Sequence, residues 1–190
     1  IDASFAETVF DIALPVTKGE AAQPFSALVK LVDLKVSDGL WAMFDPTSQL
    51  PRDPATLVVD LSGSAKMAIN IFDPKEAETI AGAPPGQLES LDVHDLKVSA
   101  VGAELTGKGA MTFDNSGPTP KPLGSVDMQP VGGNGLIDKL VAMGLVPEDQ
   151  AMGARMMMGL FAVPTGEDTL TSKIEFKEDG GVYANGQRIQ

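Results

Sequence analysis

One histidine and no cysteine limit the chemistry open to this chain of 190 residues. Two-histidine zinc motifs and cysteine-ligated metals are excluded by that count, and any histidine-based triad would have to use His94. His94 lies between Val93 and Asp95 in an alternating segment. Neighbouring strand residues point to opposite faces, so Asp95 is expected to give it no help, and His94 reads as a partly exposed sheet residue. The stretch Gly102-Ala103-Glu104-Leu105-Thr106-Gly107-Lys108-Gly109 comes close to a phosphate-cradling loop. It places glycine where the magnesium-binding hydroxyl belongs, and it continues as a strand pattern instead of opening a helix. No GxGxxG, GxSxG or EF-hand pattern occurs. The 26 carboxylates make chance proximity inevitable, so closeness alone nominates no acid/base couple and a solvated acidic surface is expected. These counts point to no catalytic residue, no metal ligand and no cofactor, and to a non-enzymatic domain.

A methionine-rich segment offers binding rather than catalysis. Placed at 100° per residue, Met152, Met156, Met157, Leu160 and Phe161, with Met158 and Val163, cover much more than an ordinary apolar stripe. Arg155 and Glu148 mark its polar side. Such a helix needs cover on more than one side. It could lie between a sheet and the preceding helix, with methionine filling irregular gaps. It could instead line a groove for an acyl chain or a partner, which makes Met152, Met156, Met157, Leu160 and Phe161 the candidate ligand-binding residues.

The elements that would position this helix are mostly strands. Phe10, Ile12 and Leu14 alternate before Pro15. Phe25 to Val36 is apolar on both faces over Ala27 to Val32, as in a doubly covered strand, and half exposed afterwards. Ser37 can cap a short helix carrying the only tryptophan, Trp41, stopped by Asp45-Pro46. From Leu57 to Ile71 every odd position is apolar or glycine. That run would span roughly 50 Å, so a bend or bulge near Gly63 is expected. Leu91–Val98 and Ala103–Phe113 read as a hairpin across Gly102. Asn134 can cap a helix over Gly135–Met143, stopped by Gly144; Pro147 opens the methionine-rich helix, which runs to about Ala162. Leu170 to Phe176 alternates again before Asp179-Gly180 turns into Val182-Tyr183-Ala184. This order predicts an α+β fold, a long, curved, mostly antiparallel β-sheet whose concave face packs on a C-terminal helical hairpin, in a single domain over residues 1–190.

A formal charge of −12 without any Lys/Arg run gives no attraction for nucleic acid or an anionic lipid surface. No run approaches the roughly eighteen apolar residues of a membrane span. The chain starts at Ile1 rather than Met, which suggests a processed or excised piece with an upstream anchor missing.

Several phrases together carry a resemblance. They are Leu40-Trp41 through Phe44-Asp45-Pro46, Leu50-Pro51-Arg52-Asp53-Pro54-Ala55-Thr56-Leu57, and Gly102 through Gly107. Leu136-Ile137-Asp138-Lys139-Leu140 with Gly144-Leu145, and Asp179-Gly180 through Asn185-Gly186-Gln187-Arg188, complete the set. The chain resembles the C-terminal part of an uncharacterised bacterial envelope family, domain of unknown function 2125. More weakly, it is similar to AsmA-like envelope proteins, which are linked to lipid handling. The resemblance implies a longer protein with an N-terminal membrane anchor, located in the periplasm or anchored facing it. It carries no catalytic or binding residue across. The expected function is a non-enzymatic envelope domain binding lipid or another apolar ligand between sheet and helices. The competing expectation is a structural or protein-interaction module with a fully packed core and no ligand.

Overall fold

The computed structural model describes residues 2–80 and 83–190. Its alternating segments form one open, antiparallel sheet. The strands are β1 (Ala3–Ser4), β2 (Glu7–Ala13), β3 (Gln23–Val36), β4 (Ala55–Met67), β5 (Gly86–Ala100), β6 (Ala103–Asp114), β7 (Lys121–Val131), β8 (Val163–Gly166), β9 (Thr169–Phe176), β10 (Val182–Ala184) and β11 (Gln187–Arg188). The helices are α1 (Asp38–Phe44), α2 (Pro74–Thr79), α3 (Gly133–Ala142) and α4 (Glu148–Phe161). β1 and β2 form an interrupted edge on β3, and β4, β5, β6, β7, β9, β10 and β11 follow in order, with β8 beside β9. The strand-dominated α+β class is the one the alternation predicts.

Register sorts the side chains by face, because directly opposed residues in a ladder share a face. Phe10, Val29, Val59, Leu96, Gly107, Met128 and Ser172 make one row across seven strands. Ile12, Ala27, Leu61, Val93, Gly109, Val126 and Ile174 make the next. The opposite face carries rows such as Lys30, Val58, Lys97, Thr106 and Gln129. Where a row would lack a side chain at Gly63, the ring of Phe25 fills the space: a Cβ there would stand 2.6 Å from its Cζ.

Little covers the apolar face. Among the described residues only Val58, Met67, Ile69, Ala151, Ala162 and Ala184 are buried apolar residues. The accessible surface is 11663 Å² for 19.8 kDa, against about 8,600 Å² for a compact monomer of that mass. α1, α3 and α4 lie towards one end of the strands, and the short α2 lies at the other, in the connection from Met67 to Gly86. Trp41 of α1 shares a depression with Leu34, Ala55 and Ala100, while α4 meets Leu105, Pro130 and Leu170. In the middle, Val29, Val59 and Leu96 stay half-buried.

Several expectations change here. The doubly apolar stretch of β3 is not doubly covered, since every residue from Ala27 to Val32 is half-buried. The strand from Leu57 ends at Met67, and register breaks at Asp60/Leu61 and Ser64/Ala65 flank Gly63. β7 and α2 escape the periodicity reading. Pro122 and Pro130 make β7 look unlike a strand, whereas α2 carries a readable start in Asp73-Pro74, with Asp73 accepting from the Lys75 amide at 2.9 Å.

Candidate functional site

α4 begins after Pro147, which stands at the N-cap with extended backbone (φ −62°, ψ 148°) instead of in the expected first turn, and Glu148 and Asp149 face the helix's positive end. It stops at Ala162, whose backbone is extended. Its C-terminal end is fixed to the sheet by the Phe161 carbonyl, which accepts from Ser172 Oγ at 2.7 Å and Asn185 Nδ2 at 3.0 Å. Arg155 donates to Asp138 of α3 and ties the two helices together. The start of α3 departs from the expected Asn134 cap. Gly132, at φ 74°, occupies the cap position, and the acceptor comes from the β8–β9 turn. Asp168 Oδ1 takes the Asn134 amide at 3.0 Å and Oδ2 takes the Gly135 amide at 2.9 Å. A helix start thus depends on a residue 34 positions away.

Between α4 and the sheet lies an apolar cavity of about 280 Å³, walled by Leu105, Met128, Pro130, Leu170, Met158, Met157, Phe161, Ala162 and Ser172. Of the five candidate residues, Met157 and Phe161 line it. Met152, Met156 and Leu160 lie outside its lining and are exposed, at 66%, 71% and 55%. The expected cover on more than one side of this helix is absent: only Ala151 along α4 is buried. The sheet wall was missed because Leu105 and Leu170 look like any inward strand residue, and Pro130 sits in the unrecognised β7. A helix is amphipathic about its own axis, and periodicity does not say how wide a sheet its apolar side meets.

On the other face, a depression of about 580 Å³ includes His94, Asp95, Lys108, Asp127, Gln129 and Lys173 in its lining. Asp127 stands opposite both Lys108 and Lys173, an alternation of charge that suits a solvent-facing sheet surface. The expectation that Asp95 and His94 point to opposite faces is overturned. Asp60 pairs with Asp95 and Leu61 with Val93, which leaves His94 as the extra residue of a β-bulge, where strict alternation fails. Both residues line the polar depression, and His94 Nε2 lies 2.7 Å from Ser62 Oγ. His94 itself is exposed. Among the described residues no group of three or more His, Asp or Glu side chains gathers as a metal site would require.

Two carboxylates are strongly held. Burial alone would push Asp45 upward, but the amides of Leu50 and Gln49, the Thr47 hydroxyl and the charge of Arg52 outweigh it, and its pKa lies below the usual value. Asp168 follows the same logic: burial opposes ionisation, while the Gly135 and Asn134 amides, the Asn134 side chain and Arg155 hold it low. Both serve as local folding anchors, Asp45 in the loop after α1 and Asp168 at the start of α3.

No helix among the described residues is long and apolar enough to cross a membrane. No curated protein and no solved structure matches the chain, and the weaker AsmA-like likeness is not shown. A family model described as "Uncharacterized protein conserved in bacteria (DUF2125)" matches residues 7–189, so the chain, an open sheet with one apolar face and a helix-roofed cavity at its end, belongs to that family.

Proposed function

We propose that this domain is a non-enzymatic module of the cell envelope that binds a lipid or another long apolar molecule on the apolar face of its sheet, with α4 holding one end. The observation that carries the reading is continuity. Leu105, a wall of the cavity beside Met157 and Phe161, is in register with Val98, Leu57 and Leu31, one unbroken cross-strand row on the same face. An uncovered apolar face of this extent is uncommon in a protein that keeps to itself. The small buried core lends less support to the competing picture of a fully packed, ligand-free module. The exposed side chains of Met152, Met156 and Leu160 favour one part of that alternative, a contact with another protein along the outer side of α4. Periplasmic placement behind an upstream anchor is part of the proposal and rests on the family resemblance.

Native mass spectrometry of the purified protein should show carried-over lipid or take up added fatty acid. Phe161→Ala, which removes a cavity wall, should weaken fatty-acid or apolar-dye binding by about tenfold, one lost aromatic contact being worth about 1.4 kcal/mol. Tight binding unchanged in Phe161→Ala moves the site elsewhere; no uptake at all removes the ligand reading and leaves the interaction module.

A further inference from the structure

The outer edge of β2 ends the sheet on one side among the described residues. β2 pairs with β3 on one side and with no strand on the other among the described residues. It runs for seven residues, Glu-Thr-Val-Phe-Asp-Ile-Ala, without a proline or lysine. Phe10 is 66% and Ile12 58% exposed. Edge strands of soluble proteins are ordinarily blunted by proline, charged side chains, bulges or a covering loop; the charges of β2, Glu7 and Asp11, both lie on the polar face, and Phe10 and Ile12 leave the other face apolar.

We infer that a second copy of this chain adds to this edge, β2 against β2, antiparallel about a two-fold axis at Phe10. Charge and face select that register. A two-fold at Phe10 sets Phe10 against Phe10, Thr8 against Ile12, Val9 against Asp11 and Glu7 against Ala13, so no carboxylate opposes another. It also overlaps all seven residues, because Phe10 is the midpoint of Glu7–Ala13. A two-fold at Val9 sets Glu7 against Asp11, and one at Asp11 sets the two aspartates against each other; like charges directly opposite destabilise a ladder. A two-fold at Ile12 carries the pairing into Pro15, which has no amide hydrogen to donate. A half-step register would put the apolar face of one copy on the polar side of the other. In the selected register the row Val59, Val29, Phe10 continues directly into Phe10, Val29 and Val59 of the second copy, doubling the apolar face.

The proposal does not rest on the ligand reading. One strand pair buries little area, so the dimer is weak and concentration-dependent. A charge of −12 on each copy opposes association, so the dimer tightens as salt rises, the reverse of an assembly held by opposite charges.

Sedimentation velocity of the chain from low to high micromolar concentration, at low and high salt, should show a monomer–dimer equilibrium favoured by salt. Phe10→Glu should raise the dimer dissociation constant at least about tenfold by placing like charges across the axis, and Ile12→Glu serves the same purpose should Phe10→Glu melt early. The chain has no native cysteine, so Phe10→Cys reports the register directly. Opposed Cα atoms are about 4.5 to 5.5 Å apart, within disulfide range, and Phe10→Cys should oxidise to a covalent dimer much faster than Thr119→Cys in an exposed loop. A chain that stays monomeric throughout, or a dimer indifferent to both glutamate variants, overturns the proposal. Crosslinking of Phe10→Cys no faster than Thr119→Cys overturns the register.

Discussion

Asp45 shows what one side chain does in a protein with so small a core. Among the described residues it is the largest fully buried side chain, and its two oxygens collect the Gln49 amide at 2.9 Å and the Leu50 amide at 2.7 Å. Asp168 does the same at the start of α3. Both have folded-state pKa values below the ordinary one. The stability they contribute is therefore present above the unfolded carboxylate pKa of about 3.9 and is lost as pH falls through the lower folded value. Asp45→Asn and Asp168→Asn should each melt below wild type at pH 7, and the gap should narrow as the pH is taken below about 4. A gap that stays constant or widens on acidification would show that ionisation is not what matters. His94→Ala should change the melting temperature little, since His94 is exposed and its one side-chain bond, to Ser62, is a surface bond.

At the scale of elements, α4 and β7 differ in how firmly they are held. Met157 is 54% exposed although it walls the cavity, so Met157→Ala should cost less than about 1 kcal/mol, well short of the 2 to 5 kcal/mol of a buried methionine. A melt showing the larger cost would mean that α4 packs more tightly than its exposure indicates. β7 is unforgiving at Gly124. Its φ is 136°, and a Cβ there would stand 2.1 Å from the Ala110 carbonyl oxygen. Gly124→Ala should therefore cost roughly 2 kcal/mol or more, because the strain falls on backbone rather than on a movable side chain. Thermal melts of the two variants, side by side, separate a yielding wall from a rigid strand contact.

The whole molecule behaves as a layer with one wet face and one greasy face. Crossing the sheet from β2 to β11 passes eight strand gaps, about 38 Å at the usual spacing. A compact domain of this length would have a radius of gyration of about 16 Å. Small-angle scattering at low concentration should give a clearly larger value, and apolar dye should fluoresce on the native protein without denaturant. A radius at the compact value would show that the sheet folds over its own apolar face in solution.

Much was legible in the sequence because it is local. Alternation set β2, β3, β4, β5, β6 and β9, the turn chemistry of Gly102 and Gly180 set two reversals, and the methionine-rich period set α4. Counting residue types also excluded cysteine chemistry and two-histidine metal sites. Tertiary structure decided what depends on partners distant in the chain. Asp168 replaces Asn134 as the cap of α3, Pro130 becomes a cavity wall inside a strand its prolines disguise, and the bulge at His94 brings it to the same face as Asp95. Above all, alternation says that a strand has an apolar side, but it is silent on whether anything lies over that side. Periodicity measures the chain against itself, whereas cover is a property of the space between elements, and here most of that space is open.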